Sequence, residues 1–391
     1  RYPSGHYVRT LGEVGDRATE TEVLLLEHDV PFAPFSPQVL SFLPVEGDKW
    51  IVLDEHLAGR TDFRHLDVCS IDPPGCTDID DALHARKLEN GNYEVGVHIA
   101  DVSHFVKPEN AMDLEAQRRG TTVYLVDKRI DMLPGLLGTN LCSLRSDIDR
   151  LSFSCIWEIT PDADIIDCKY TKSVIRSKAS FTYDEAQARL DDPTKKDPVS
   201  LGIKALDALA KKLRAKRIKN GALTLASPEV RFKMETDSQD PVDVEMKELK
   251  DTNALVEEFM LLANIFVAKK IHASFGESSM LRRHPKPPPS SFEGLQKAVG
   301  ELGITIDATS SKALADSLDK AVDDPYFNKL IRIMTTRCMM QAQYFCSGTL
   351  PEPEFWHYGL ATDIYTHFTS PIRRYADLVV HRLLAAAIGY E

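Results

Sequence analysis

The apolar and polar positions divide the chain into an early strand-rich part and a later helical part. Segments 8–11 and 21–26 are short apolar runs separated by Gly12, Gly15 and charged turns; they read as strands that close at the proline-rich stretch 31–37. Residues 1–45 are too few to close a sheet alone, so they are expected to be the C-terminal part of a β-barrel. Residues 46–66 are polar and read as a linker. From Val68 the pattern changes. Segment 93–99 loses its polar alternation in the second half, which predicts a strand buried on both faces. Segments 121–126 and 151–159 predict two more strands. In 201–219, Leu206, Leu209, Ala210, Leu213 and Ile218 recur on one side of a helix that Asn220-Gly221 would end. Segment 253–274 is apolar nearly all round, which predicts a central helix. Segments 311–322 and 325–343 read as further helices beyond a proline-rich loop at 284–289. Strands first and helices later make an α+β fold.

Composition narrows the classes. With 391 residues, 43% hydrophobic and 27% charged, the chain is an ordinary globular sequence. No apolar run approaches the ~20 residues that span a bilayer, so no membrane partner is expected. The first residue is Arg1, and the chain is expected to be a piece of a longer protein. Its seven cysteines are odd in number and never at CxxC spacing, which argues against a zinc knuckle or a disulfide framework. Reduced thiols suit the nucleus or cytosol. The net charge of −12 excludes a uniformly basic protein but not a local nucleic-acid patch. Arg118-Arg119, Lys128-Arg129, the run 211–219, Arg282-Arg283 and Arg373-Arg374 are basic clusters, each read by itself as a solvated face.

The chemistry concentrates in Ser70-Ile71-Asp72-Pro73-Pro74-Gly75-Cys76-Thr77-Asp78-Ile79-Asp80-Asp81-Ala82. Asp78 and Asp80 share a face if the stretch is extended, and Asp81 points away unless the chain turns. Two carboxylates in contact repel by about 4 kcal/mol at an effective dielectric of 20, so a partly buried cluster needs a cation. All-oxygen ligands suit Mg²⁺ or Mn²⁺. A solvated acidic turn fits the spacing equally well.

Other segments are also open to two readings. In 368–377, Ser370 reads as a helix N-cap and Pro371 as the first helical residue; the N–H groups there are either a phosphate site or an ordinary cap. Arg374 would point about 100° from Arg373 on that helix. Tyr124 in its strand suits the core. Glu257, on the apolar helix, needs a partner such as a salt bridge. His98 and His104 flank Asp101, but the strand pattern favours structural roles over a metal site.

The aspartate segment, running through Asp81-Ala82-Leu83-His84 into Gly96-Val97-His98-Ile99-Ala100-Asp101-Val102, resembles the signature of the ribonuclease II/R (RNB) family. The likeness continues through Arg119-Gly120-Thr121, Tyr124-Leu125, Met132-Leu133-Pro134, Leu141-Cys142-Ser143-Leu144, Val256-Glu257-Glu258 and 365–377. The Asp-Pro-Pro-Gly-Cys form is most similar to family members that serve as the catalytic subunit of the eukaryotic RNA exosome.

The resemblance implies an RNB catalytic domain over 67–391, incomplete at its C-terminus, with a mixed sheet and packed helices. Before it would come the linker 46–66 and, in 1–45, the tail of an oligonucleotide-binding or cold-shock-like barrel. It implies hydrolytic 3′→5′ degradation of single-stranded RNA to nucleoside 5′-monophosphates, with Mg²⁺, or Mn²⁺ in its place. Asp72, Asp78, Asp80 and Asp81 would hold the metal, and Asp80, Arg373 and Asp78 would be catalytic. Tyr124 would stack on terminal bases, with Leu225 where bacterial members carry an aromatic partner. Tyr183 and Glu257 would contact the ribose 2′-OH, and Arg374 would bind RNA. Partners would be RNA and exosome core subunits, in the nucleus, nucleolus included, and the cytoplasm. The rival reading is an RNA-binding or scaffold fragment without catalysis.

Overall fold

A computed structural model describes residues 4–224, 249–321 and 324–390 in full, and the backbone of 230–234 and 241–246. In chain order its strands are β1 (Thr61–Asp62), β2 (Cys69–Asp72), β3 (Asp81–Lys87), β4 (Tyr93–Ala100), β5 (Val123–Tyr124), β6 (Arg129–Ile130), β7 (Asp149–Ile159), β8 (Ile165–Arg176), β9 (Ala179–Thr182), β10 (Val230–Met234), β11 (Pro241–Met246), β12 (Met280–Arg283) and β13 (Gln343–Cys346). The α-helices are α1 (Arg17–Glu27), α2 (Pro37–Leu40), α3 (Val102–Phe105), α4 (Ala111–Arg119), α5 (Tyr183–Asp191), α6 (Pro198–Lys219), α7 (Asp251–Phe275), α8 (Ser290–Gly300), α9 (Ser311–Lys320), α10 (Pro325–Arg337) and α11 (Tyr375–Ala387).

Seven strands form the main sheet in the order β1-β8-β7-β4-β3-β2-β9. The end pairs β1–β8 and β2–β9 are parallel and the four inner pairings antiparallel, so the sheet is mixed. One face is apolar. Val95, Val97 and Ile99 of β4 and Phe153, Cys155 and Trp157 of β7 pack with Leu206 and Leu209 of α6 and Leu255, Phe259 and Val267 of α7. The other face is buried but partly polar. His84 Nδ1 meets His98 Nε2 at 2.8 Å, His98 Nδ1 meets Ser154 Oγ at 2.6 Å, and Ser154 bonds Ser173 at 2.6 Å. Gly96 makes room for this seam, since a Cβ there would lie 2.2 Å from the His84 ring. Burial pushes the His98 imidazole well below its usual range, so it is neutral and structural. A second core, with Leu66, Val68, Ala100, Met112, Met132 and Leu133, lies between the same face and α2 and α4. A third lies among α8, α9 and α10 around Phe292, Leu314 and Ile331.

The long elements follow the periodicity. α6 has Asp197 as N-cap and Pro198 at its first position, and α7 is buried through the centre, against α5, α6, α11 and β4. Shorter segments depart from it. Residues 21–26 are not a strand but part of α1, which Asp16 caps by accepting the Thr19 N–H; only Leu25 of that helix is buried. Residues 4–13 form neither helix nor strand. Segment 121–126 gives only the two-residue β5, paired with β6 in a small hairpin outside the main sheet. Gly120, at φ 70°, turns the chain out of α4 just before it. The segment expected to be helical to 343 stops at Arg337 and ends in β13. Within 46–66, β1 joins the sheet, and Arg60 is buried in an ion pair with Asp101 at 2.6 Å.

Candidate active site

Four carboxylates from different local structures line one cleft of about 740 Å³. Asp72 ends β2 and Asp81 begins β3, with Asp78 and Asp80 in the irregular connection between them. Gly75, at φ 76°, turns that connection. Ile79 anchors it: its side chain enters the second core, its N–H donates to Ser143 Oγ at 3.1 Å, and its carbonyl accepts from Leu144 N–H at 3.0 Å. The chain therefore turns at the point where an extended strand would have sent Asp81 to the opposite face.

The other wall is α7 and the segment before α11. The cleft is lined there by Val256, Glu257, Met260, Asn264, Tyr365, Thr369, Ser370, Arg373 and Arg374, with Tyr183, Tyr124 and Arg129 nearby. Asp80 joins the two walls. Its Oδ1 accepts the Ile372 N–H at 2.9 Å, and its Oδ2 lies 3.3 Å from Arg373 Nε. Arg373 also donates to Ser370 Oγ at 2.9 Å, yet its side chain stays 45% exposed to the cleft.

The expected helix start at Ser370 is a correction. α11 begins at Tyr375, after a turn. Asp377, fully buried, reaches back to accept the Ser370 N–H at 2.8 Å and holds Arg374 through both guanidinium nitrogens at 2.7 and 2.8 Å. A carboxylate one turn into the helix thus replaces the N-cap read from Ser370. Arg374, in extended backbone rather than helix, is committed to that pair.

The electrostatics are unbalanced. Burial raises Asp72 to about 6, with the charge on Asp78 adding to it. Burial raises Asp80 to about 7 against the pull of Arg373. Burial, then the charges of Asp72 and Asp80, push Asp81 well above the carboxylate range. Asp72 Oδ2 is buried and has no hydrogen-bond partner. An orphaned anionic oxygen among crowded, acceptor-only groups fits a hard divalent cation. Among the described residues no three acidic, histidine or cysteine side chains already stand in a ligand arrangement.

Glu257 proves to be the exposed neighbour of the buried carboxylate. Glu258 is 4% exposed and paired with Arg217, whereas Glu257 faces the cleft at 3.6 Å from the same arginine. Tyr183, first residue of α5, lines the cleft as well. Leu225 lies outside the described residues. Most of the run 211–219 is neutralised by carboxylates: Lys211, Lys212, Lys216 and Arg217 all have partners. Arg129, Asn264 and Asp377 were not foreseen as site residues: Arg129 reads as part of a solvated basic cluster and its partner lies 51 positions away, the partner of Asn264 lies 101 away, and Asp377, at the end of 365–377, reaches back 7 positions.

Comparison with known proteins gives the family. A profile of the RNB domain matches residues 60–390, and one of the Dis3-like cold-shock domain 2 matches 1–29. The exosome complex exonuclease RRP44 of Homo sapiens is 61% identical over all of this chain, and the exosome complex exonuclease dis3 of Schizosaccharomyces pombe is 59% identical. The chain covers 41% of either protein. Among solved structures, Mycoplasma genitalium RNase R in complex with ribose methylated single-stranded RNA superposes with TM-score 0.84 at 27% identity, over 96% of this chain and 58% of that one. Yeast Ssd1, a pseudonuclease, shares the fold at TM-score 0.81 and 24% identity, over 98% of this chain and 47% of its own. Among the described residues no helix is long and apolar enough to cross a membrane. With the profile spanning the sheet, the carboxylate cleft and the Arg373 turn alike, the chain belongs to the RNB domain family.

Proposed function

We propose that this chain is the catalytic part of a Mg²⁺-dependent hydrolytic 3′→5′ exoribonuclease that converts single-stranded RNA to nucleoside 5′-monophosphates. The observation that carries this reading is the convergence of Asp72, Asp78, Asp80, Asp81 and Arg373 on one cleft. The fold alone does not carry it, since a pseudonuclease shares the fold. A bound Mg²⁺, or Mn²⁺, would supply Lewis-acid charge at the scissile phosphate. Asp72 and Asp81, with Asp80, would hold it. Asp80 keeps Arg373 beside the carboxylates, where its guanidinium meets charge growing on a phosphate oxygen. Tyr124 offers an exposed ring to a terminal base of any sequence. Glu257 and Tyr183 line the same cleft and would contact the ribose 2′-OH, the group by which RNA is told from DNA. The high identity to exosome exonucleases over the whole chain supports a place in an RNA exosome. The compartments proposed for it are the nucleus, nucleolus included, and also the cytoplasm.

The test is release of mononucleotides from 5′-labelled single-stranded RNA by the chain in Mg²⁺ and in EDTA. The reading expects a ladder shortening from the 3′ end that EDTA stops and Mg²⁺ restores. RNA binding without any nucleotide release would favour a non-catalytic binding fragment.

A further inference from the structure

Asp78 differs from the other three carboxylates in what holds it. Arg129 donates to its Oδ1 at 2.6 Å, and the Tyr124 hydroxyl donates to its Oδ2 at 3.1 Å, so both oxygens are engaged. Tyr124 and Arg129 are register partners across the β5–β6 hairpin. Asp131 forms a second ion pair with Arg129 from the hairpin side. One carboxylate from the β2–β3 connection therefore pins both strands of a two-residue hairpin that the main sheet does not support. Asp72, by contrast, keeps a buried oxygen with no partner. Asp80 also has both oxygens engaged, but Arg373 stands off it at 3.3 Å, whereas a cation approaching Asp78 would meet the Arg129 guanidinium, a like charge, in direct contact at 2.6 Å.

We propose that Asp78 is a positioning residue for Tyr124 rather than a ligand of the cation. It fixes the ring of Tyr124, a residue 56% exposed, as a prearranged platform for the terminal base and leaves the cation to Asp72, Asp80 and Asp81. A ring already held loses less rotamer freedom when a base stacks on it. This rests on the reading of the cleft as an RNA-cleaving site with Tyr124 as its base contact.

Two measurements on the intact chain separate the roles. Mn²⁺ binding without RNA, followed by electron paramagnetic resonance, is expected to weaken about tenfold or more in Asp72→Asn and to stay within roughly threefold of wild type in Asp78→Asn. RNA affinity in EDTA, read by fluorescence anisotropy of a 3′-accessible oligomer, is expected to fall roughly tenfold in Asp78→Asn and in Tyr124→Ala. The double variant should be no weaker than Tyr124→Ala alone, because one residue acts through the other. Arg129→Met approaches the same contact from the hairpin and should lose RNA affinity without losing Mn²⁺, which keeps the test open if Asp78→Asn folds poorly. Equal loss of Mn²⁺ in Asp78→Asn and Asp72→Asn overturns the proposal, and so do additive losses of RNA affinity. If wild type has no Mn²⁺ site that Asp72→Asn removes, the catalytic reading fails instead. The metal-free RNA measurement then still decides whether Asp78 acts through Tyr124.

Discussion

Two buried acidic centres lie next to each other in this fold and are built on opposite electrostatic plans. They are linked at Ala100, whose N–H donates to the Asp80 carbonyl at 2.8 Å and which precedes Asp101 in sequence. At Asp101 one carboxylate meets two cations: Arg60 at 2.6 Å and Lys172 at 2.5 Å, with Ser103 donating as well. Burial alone would raise the Asp101 carboxyl, but Lys172 and Arg60 outweigh it and hold the group far below the carboxylate range. In the cleft, four carboxylates crowd together and burial raises three of them. The first centre is satisfied by the protein itself and can only hold structure. The second is left short of positive charge, which suits the cation proposed for it.

The contrast can be broken by exchanging one carboxylate for an amide in each centre. Asp80→Asn is expected to show the largest effect, a loss of hydrolysis on the order of 10³-fold or about 4 kcal/mol of barrier, with RNA binding and folding retained. Wild-type turnover in that variant at saturating Mg²⁺ would remove Asp80 from the chemistry. Asp101→Asn should do the reverse. Stranding two buried cations costs about 3–5 kcal/mol, seen as a lower denaturation midpoint at neutral pH, whatever the Mg²⁺ concentration.

Acid sharpens the same comparison. The folded pKa of Asp101 lies below its unfolded value of about 3.9, so its stabilisation is complete above that pH and drains away as pH falls further. His104 and His381 stand close by, and burial lowers them to about 4 and about 3; the unfolded chain takes up their protons from about pH 6.5 down, so they weaken the fold from there until the folded groups protonate. The Asp101 charge raises both histidines, but above pH 5 they are neutral in the fold, so the difference between wild type and Asp101→Asn should be constant from pH 5 upward and shrink below about pH 4 as the unfolded carboxylate takes up its proton. A gap that persists undiminished to pH 2.5 would contradict this account. The smallest effect is expected at Glu257, the exposed carboxylate on the far wall. Glu257→Ala should narrow the preference for RNA over a matched oligomer with one 2′-deoxy sugar near the 3′ end by about tenfold, mainly by slowing RNA cleavage. A full preference in a stably folded variant would make Glu257 no more than a partner of Arg217.

These centres were not equally visible in the sequence. α6, α7, β4 and β7 could be read because long periodic segments with caps override local ambiguity. The carboxylates could be listed, but their shared direction could not, since it depends on Ile79 being buried in a core made by residues far along the chain. The run 21–26 misled because its apolar residues suit a strand as well as a helix, and the Asp16 cap decided between them. At 370–377 a good local cap lost to a longer reach, from Asp377. Glu257 seemed to be the charge needing rescue, but the neighbouring Glu258 is the buried one and a single position on a helix separates the two roles. The Asp101 triad joins positions 60, 101 and 172 and left no local trace.

The hydrogen bond from Ile372 to Asp80 joins residues 292 positions apart. On a ribosome adding about 5–20 residues per second, the carboxylate cluster is made some 15–60 seconds before its arginine wall exists. A nascent chain therefore carries half a cleft past the messenger being translated, and the proposed cleavage site closes only once the segment through Asp377 has emerged and docked. Order of synthesis would act here as a safety catch, delaying assembly of the proposed nuclease until the segment through Asp377 is built.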